Sequence, residues 1–332
     1  MALERSERIN RKLHRELGDT ILAALADTEV IEVMLNPDGC LWVEYFGKKM
    51  EKVGEMSAAS AEALMATLSA TLNTTITREH PIIECELPID GSRFEGLIPP
   101  IVARPTFTIR KKASVVFTLE DYVSQHIMTE LQRHIIEEAI LQRQNILVVG
   151  GTGSGKTTLT NAIIAHMIKA DPTQRLVIIE DTAEIQCAAE NAVILRSTDN
   201  IDMQRLLKAT MRLRPDRILI GEVRGGEALA LIKAWNTGHP GGVATLHANS
   251  AYSSLIRLQQ LIGEVALQPM QAVIAQAIDL IIVIEKKAGM RQIAEILTVE
   301  GFDGEKNNYV INSVFNTIAK PLLTVSNGGA IL

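Results

Sequence analysis

The chain has 332 residues, 47% of them apolar and 22% charged, a balance ordinary for a water-soluble globular protein and long enough for two domains. Its formal charge of -6 argues against a protein that coats nucleic acid through bulk positive charge, so direct nucleic-acid binding is unsupported. The three cysteines, Cys40, Cys85 and Cys187, are odd in number and far apart, which points to reduced thiols and gives no reason to expect structural zinc.

Met1 to Glu16 is strongly charged and lacks an apolar signal core, and no run approaches bilayer-spanning length, so a cytoplasmic location is expected. Glu4 to Ala26 reads as an amphipathic helix with Ile9, Leu13, Leu17, Ile21, Leu22 and Leu25 on one side. Core packing is its plain reading. Peripheral contact with a membrane surface is the alternative, although Glu4, Glu7 and Glu16 dilute the positive charge. Strands are expected at Val30–Leu35 and Leu41–Phe46, joined through the reversing turn Asn36-Pro37-Asp38-Gly39. Ser57–Leu72 follows as a helix with Leu64, Leu68 and Leu72 at four-residue spacing. Further strands at Ile82–Cys85, Arg93–Ile98 and Thr106–Arg110 complete a smaller α+β domain over residues 1–112.

Residues 113–128 read as a linker, and a helix carrying Leu131, Ile135, Ile136, Ala139 and Ile140 opens a second domain, 129–332. Asn145–Val149 is rich in branched apolar residues, as a buried strand is, and Thr157–Ala170 places Leu159, Ile163, Ile164 and Met167 on one helical stripe. Strands at Arg175–Glu180, Ala192–Leu195, Arg217–Gly221, Gly242–His247 and Asp279–Glu285 alternate with helices, a pattern of α/β class with a mainly parallel sheet. Arg291–Val299 and Tyr309–Phe315 read as a terminal antiparallel pair, and Ser326–Ala330 as a loose tail.

Between the strand and the helix, Gly150 to Thr158 meets every position of the phosphate-binding pattern G-x-x-x-x-G-K-[ST], the P-loop. Glycines let successive backbone N–H groups turn toward a polyphosphate with no Cβ in the way, and the helix start adds its positive dipole end. Gly151, Thr152, Gly153, Ser154, Gly155, Lys156, Thr157 and Thr158 are therefore candidate nucleotide-binding residues. Lys156 would reach the β- and γ-phosphates, the Thr157 hydroxyl would ligate Mg2+, and Thr158 would support the helix start. ATP and Mg2+ are the expected ligands. A dinucleotide fold fits poorly, because Lys156 stands where a Rossmann turn wants its third glycine.

Three polar clusters follow at strand ends. In Ile178–Ile185 an apolar strand gives way to acids, and the carboxyl ends of parallel strands face the ligand crevice, so Asp181 and Glu184 are candidates to support Mg2+, directly or through water. Asp181 as a helix cap is the plain alternative. Arg217–Arg224 occupies the place of a Walker B segment, but Gly221 takes the usual Asp position; Glu222 is then the candidate to polarise the attacking water, and Arg224 is expected to pair with the acidic cluster. Finally, His239 and His247 bracket a strand and are candidates to sense the γ-phosphate; zinc ligation is not expected of them, since no cysteine or third histidine accompanies the pair.

With these segments in order, Gly150–Thr158, Ile179–Ile185, Arg212–Arg224 and Thr237–Ala248, the chain resembles the traffic ATPases of bacterial type II and type IV secretion. Asp90–Phe94, Pro99-Pro100 and Thr108–Lys112 extend the resemblance into the amino-terminal half, and it is nearest to the type IV branch and its conjugal-transfer ATPases. The resemblance implies a RecA-like P-loop NTPase domain behind a nucleotide-facing amino-terminal domain. It also implies a homo-hexameric ring that hydrolyses ATP and works with inner-membrane components of a secretion or conjugation complex. Arg93 and Arg110, with Arg104 as a third, match positions where a guanidinium would meet transition-state charge, on their own subunit or a neighbour; interdomain or surface pairing is their plain alternative. A type II secretion or pilus ATPase shares the four motifs, and a nucleotide-switched assembly scaffold is the alternative of another class.

Overall fold

The structure, a computed structural model, describes residues 2–45, 48–72, 74–112, 116–198, 200–287 and 289–316, so the tail expected at Ser326–Ala330 lies outside the described residues. The chain forms two compact units, Met1–Val115 and Val116–Leu332.

The first unit runs α1 (Ala2–Ala26), β1 (Val30–Leu35), β2 (Cys40–Tyr45), β3 (Glu51–Glu55), α2 (Ala58–Thr71), β4 (Ile82–Glu86), β5 (Arg93–Leu97) and β6 (Thr106–Arg110). Its sheet has the order β3-β2-β1-β6-β5-β4, and every neighbouring pair is antiparallel. Alternate residues of the strands, among them Val33, Leu35, Phe107 and Ile109, point to one face, where Leu13, Leu17 and Ile21 of α1 and Leu64, Met65 and Leu68 of α2 close the core. The apolar stripe of α1 is thus occupied with packing. Gly18 interrupts that helix at φ 74 and ψ 165, a conformation that glycine alone enters cheaply. The turn between β1 and β2 holds Gly39 at φ 87, and Asp38 Oδ1 accepts the Cys40 N–H at 2.8 Å. β3 was not expected: its sequence, Glu-Lys-Val-Gly-Glu, shows no apolar alternation, because it is an edge strand held by backbone pairing to β2.

The second unit runs α3 (Leu119–Ser124), α4 (Glu130–Leu141), β7 (Ile146–Val149), α5 (Lys156–Ala170), β8 (Leu176–Glu180), β9 (Ala192–Arg196), α6 (Met203–Thr210) and β10 (Arg217–Val223). It continues through α7 (Glu227–Asn236), β11 (Val243–Leu246), α8 (Ala251–Gly263), α9 (Gln271–Ala277), β12 (Leu280–Lys287), β13 (Met290–Asp303) and β14 (Asn308–Asn316). The sheet order is β14-β13-β12-β7-β11-β10-β8-β9. Pairing is parallel from β12 across to β9 and antiparallel for β12 with β13 and β13 with β14. Both faces are covered: Ile146 and Val148 of β7 enter a core with α3, α4 and α5, while Leu147 and Val149 enter another with α7, α8 and α9. That is why β7 reads as an unbroken apolar run.

Helix α3 falls inside the span expected as a linker. A capping box starts it, with Thr118 Oγ1 accepting the Asp121 N–H at 3.1 Å and Asp121 Oδ2 accepting the Thr118 N–H at 2.8 Å, and its Leu119 and Tyr122 are buried in the core of the second unit.

A polar knot closes the amino end of the parallel strands. Asn145 is 4% exposed; its Oδ1 accepts the N–H groups of Gly241 and Gly242 at 2.8 and 3.1 Å, and its Nδ2 donates to Ala277 O at 2.8 Å. Arg217 is buried beside it and donates to Gln174 Oε1, Gly241 O and Ile140 O; burial draws its pKa down to about 10. Asn145→Ala leaves three buried backbone groups without partners and is expected to cost about 2–3 kcal/mol, read from the midpoint of urea unfolding. An unchanged midpoint would mean the knot relaxes around the loss.

Candidate functional site

The carboxyl end of β7 delivers the chain into the glycine loop, and the loop opens directly into α5. Gly153 and Gly155 lie at φ 69 and 102, which favour glycine, and a Cβ on Gly150 would collide with the Ile284 carbonyl of the neighbouring β12. Gly155 caps α5 and, having no side chain, offers no capping acceptor to the first N–H groups of this 15-residue helix. Lys156 is 7% exposed, and its Nζ donates to Gly151 O at 3.0 Å; beside it the Ser154 hydroxyl is buried without a hydrogen-bond partner. A cradle of glycine backbone, a helix start and a sheltered ammonium suit a polyphosphate.

Two further strand ends bring carboxylates to the loop. Glu180 closes β8 at 1% exposure and accepts the N–H groups of Glu184 and Ile185, both at 3.0 Å. Residues 181–185 are thereby folded back, and the Thr157 hydroxyl donates to Glu184 Oε2 at 3.0 Å. Asn161 of α5 braces the same segment, donating to Glu184 O and accepting the Gln186 N–H. On β10 the register against β11 shifts between Ile220 and Val223, and such an irregularity re-aims side chains at a strand end. Glu222 lies there. Its Oε2 accepts Arg224 Nε and Nη2 at 2.8 and 2.5 Å, and its Oε1 is 2.8 Å from His247 Nε2. The His247 ring in turn lies 3.3 Å from Lys156 Nζ, and Arg224 Nη1 donates to Asp181 Oδ2 at 2.5 Å. Burial works against the charge of Arg224, but its hydrogen bond to Glu222 and the charge of Asp181 leave its pKa raised.

The unusual Gly221 also acquires a physical reason. A Cβ there would lie 3.0 Å from Glu180 Cβ on the adjacent strand, so an Asp side chain would crowd the buried glutamate that shapes the acidic loop. Thr245 Oγ1 of β11 donates to Gly221 O at 2.7 Å and ties the two strands at that point.

Lys156, Thr157, Asp181, Glu184, Glu222 and His247 are therefore gathered at one end of the sheet. His239 is not brought there within one chain: it precedes β11, three residues before Gly242, whose carbonyl accepts the Ile146 N–H at the start of β7. Within one chain it belongs to the end occupied by Asn145 and Arg217. In the first unit, Arg93 and Arg110 are direct cross-strand partners on β5 and β6, and Arg110 Nε pairs with Glu32 Oε1 at 2.7 Å. Arg104 lies apart from them, bordering a cleft with Asp38, Glu55 and Ser57. The sequence groups Glu180 with Asp181 and Glu184 as acids facing the crevice, but its bracing of residues 184 and 185 follows only from the fold.

Among the described residues no group of three or more His, Cys, Asp and Glu side chains converges on a metal position. Thr157 and Glu184 offer two hard oxygen donors side by side, which suits a Mg2+ that takes its other ligands from phosphate and water.

Fold and site together define a P-loop nucleotide-binding protein. Residues 16–298 match the family described as Type II/IV secretion system protein, and the chain belongs to that family. It is 55% identical over 295 residues to the probable conjugal transfer protein TrbB of Sinorhizobium fredii, covering 89% of this chain and 91% of that protein. It is 29% identical to the type IV secretion system protein VirB11 of Bartonella henselae, covering 87% and 96%. Among solved structures it is similar in fold to the Legionella pneumophila ATPase DotB, with a TM-score of 0.60 at 19% identity, covering 86% of this chain and 80% of that one. The family and its type IV branch are those that the four sequence motifs resemble.

Proposed function

We propose that this protein is the Mg2+-dependent ATPase of a type IV secretion or conjugative transfer apparatus, with a RecA-like domain in its second unit and a homo-hexameric ring as its working form. The observation that carries the reading is the placement of Glu222: its carboxylate is held between His247 and Arg224, beside Lys156 and the Thr157–Glu184 pair. The 55% identity to a conjugal transfer protein over nine-tenths of both chains favours the conjugative branch.

In this reading the loop N–H groups and Lys156 hold the β- and γ-phosphates, and Thr157 and Glu184 hold Mg2+. The metal, when bound, offsets charge on the phosphate oxygens. Glu222 accepts a hydrogen bond from the attacking water and turns its oxygen toward phosphorus, acting as base or positioner. Arg224, spanning Glu222 and Asp181, keeps that carboxylate aimed. His247, between Lys156 and Glu222, is placed to respond when a γ-phosphate draws the ammonium away. Arg93 and Arg110 are assigned to transition-state charge, on the same subunit or a neighbour. The ring would work at the cytoplasmic face of the inner membrane through membrane-embedded partners; among the described residues no helix is long and apolar enough to cross a membrane.

Phosphate release under saturating ATP, with and without Mg2+, tests the enzyme, and light scattering after size exclusion, with and without a slowly hydrolysed analogue, tests the ring. Absence of Mg2+-dependent release would leave a nucleotide-switched scaffold instead, and a persistent monomer would remove the hexamer. Arg110→Ala is expected to depress turnover more than nucleotide affinity; the reverse pattern would assign Arg110 to ground-state binding.

A further inference from the structure

The hairpin between β12 and β13 lies outside every motif, yet it stands against the glycine loop. β12 pairs in parallel with β7, from Leu280 opposite Ile146 to Val283 opposite Val149, so the next residues of both strands emerge side by side. The returning strand then places Arg291 across the loop. Its Nη2 donates to Gly153 O at 3.4 Å, and its Cδ and Nε lie 3.1 and 3.2 Å from the position a Cβ on Gly155 would take. Position 155 favours glycine by its φ of 102, and a Cβ there would press on the Arg291 side chain.

We infer that Arg291 is a positioning residue of the phosphate loop, one that fixes the Gly153–Ser154 peptide and so sets nucleotide affinity from a strand outside the nucleotide motifs. The inference rests on the nucleotide-binding reading of that loop. A peptide is planar, with its C=O and N–H on opposite sides, so a donor held on the Gly153 carbonyl acts together with the Ser154 N–H, which meets Gly151 O at 3.3 Å, to set the orientation of that N–H. Without such a hold, a loop with glycines at 150, 151, 153 and 155 samples many conformations, and a ligand must overcome that freedom on binding. The strand that carries Arg291 is itself anchored. Ile293 N donates to Ile127 O at 2.9 Å, Gln132 Nε2 donates to Ile293 O at 3.2 Å, and Gln292 Nε2 donates to Glu285 Oε1, so the base of the hairpin is tied to its own sheet and to the start of α4. A guanidinium suits the position because its flat fork can lie along the loop while its charge adds to the field at the phosphates; a lysine ammonium is a single point on a flexible stem.

The test measures binding of a fluorescent ADP, with Mg2+, to the full chain as wild type, Lys156→Ala, Arg291→Ala and Arg291→Lys, alongside thermal melting of each without nucleotide. The expected result is that Arg291→Ala binds about tenfold more weakly, melts as the wild type does, and is partly restored by Arg291→Lys. Wild-type affinity in Arg291→Ala, while Lys156→Ala has lost binding, would overturn the role of Arg291 and leave the nucleotide site standing. Weaker binding accompanied by a matching fall in melting temperature would also overturn it, by making Arg291 a general support of the fold. If the wild type itself does not bind, the reading on which the inference rests fails first.

Discussion

Glu222→Gln is expected to bind ATP as the wild type does and to release phosphate about 10²–10⁴ times more slowly. The substitution keeps the size of the side chain and one acceptor oxygen, so the hydrogen bond from Arg224 survives and β10 is undisturbed. What disappears is the negative charge that lets the oxygen 2.8 Å from His247 take a strong hydrogen bond, or a proton, from water. Only the transition state gains from that charge, since an attacking water becomes acidic only as its bond to phosphorus forms. The loss should therefore fall on kcat, with nucleotide affinity preserved. Phosphate release beside equilibrium binding separates the two. Wild-type turnover in Glu222→Gln would remove Glu222 from the chemistry and turn attention to Glu184, the other carboxylate at the same strand ends.

Lys156→Ala is expected to weaken ATP binding on the order of a hundredfold, as loss of charge-assisted hydrogen bonds to two phosphates would. Lys156 is 7% exposed, and its ammonium donates to Gly151 O beside the His247 ring. Alanine is a strong helix former, so the start of α5 survives and the effect reports on the ligand rather than on folding. Binding of a fluorescent ATP analogue reads the affinity, and circular dichroism of the variant checks the helix. Unchanged affinity and turnover would mean that the glycine loop serves only to turn the chain, and the nucleotide reading would fall with it.

The elements that were legible in the sequence are those whose signal is local. β7 and α5 could be read because Ile146–Val149 is buried on both faces and Gly150–Thr158 is a complete motif lying between a strand and a helix. Strand β3 was hidden because an edge strand is held by backbone hydrogen bonds that leave no side-chain pattern. Helix α3 falls within a span that reads as linker because six residues are too few to establish a helical period, and its identity lies in a capping box and two buried side chains. The histidines show the same division at the site. His239 and His247 are equivalent by spacing, as they bracket one strand, but a strand has two ends and only one of them faces the loop.

By itself the sequence determined the chemistry the protein carries: a glycine loop with Lys156 and Thr157, acids after one strand, a glutamate after another, and a histidine after a third. Those are covalent facts, and local sterics and hydrogen bonding make them readable in short windows. Which groups meet was decided only by the tertiary structure. Parallel pairing of β7, β11, β10 and β8 sets their carboxyl ends side by side, so Thr157 meets Glu184 and Glu222 meets His247 across 27 and 25 residues of sequence. A Cβ at 221 would crowd Glu180, and Arg291 reaches the loop from a strand more than a hundred residues away. The physical reason is that a side chain's neighbours across a sheet are set by strand order and register, which burial of the whole core selects and no short window contains.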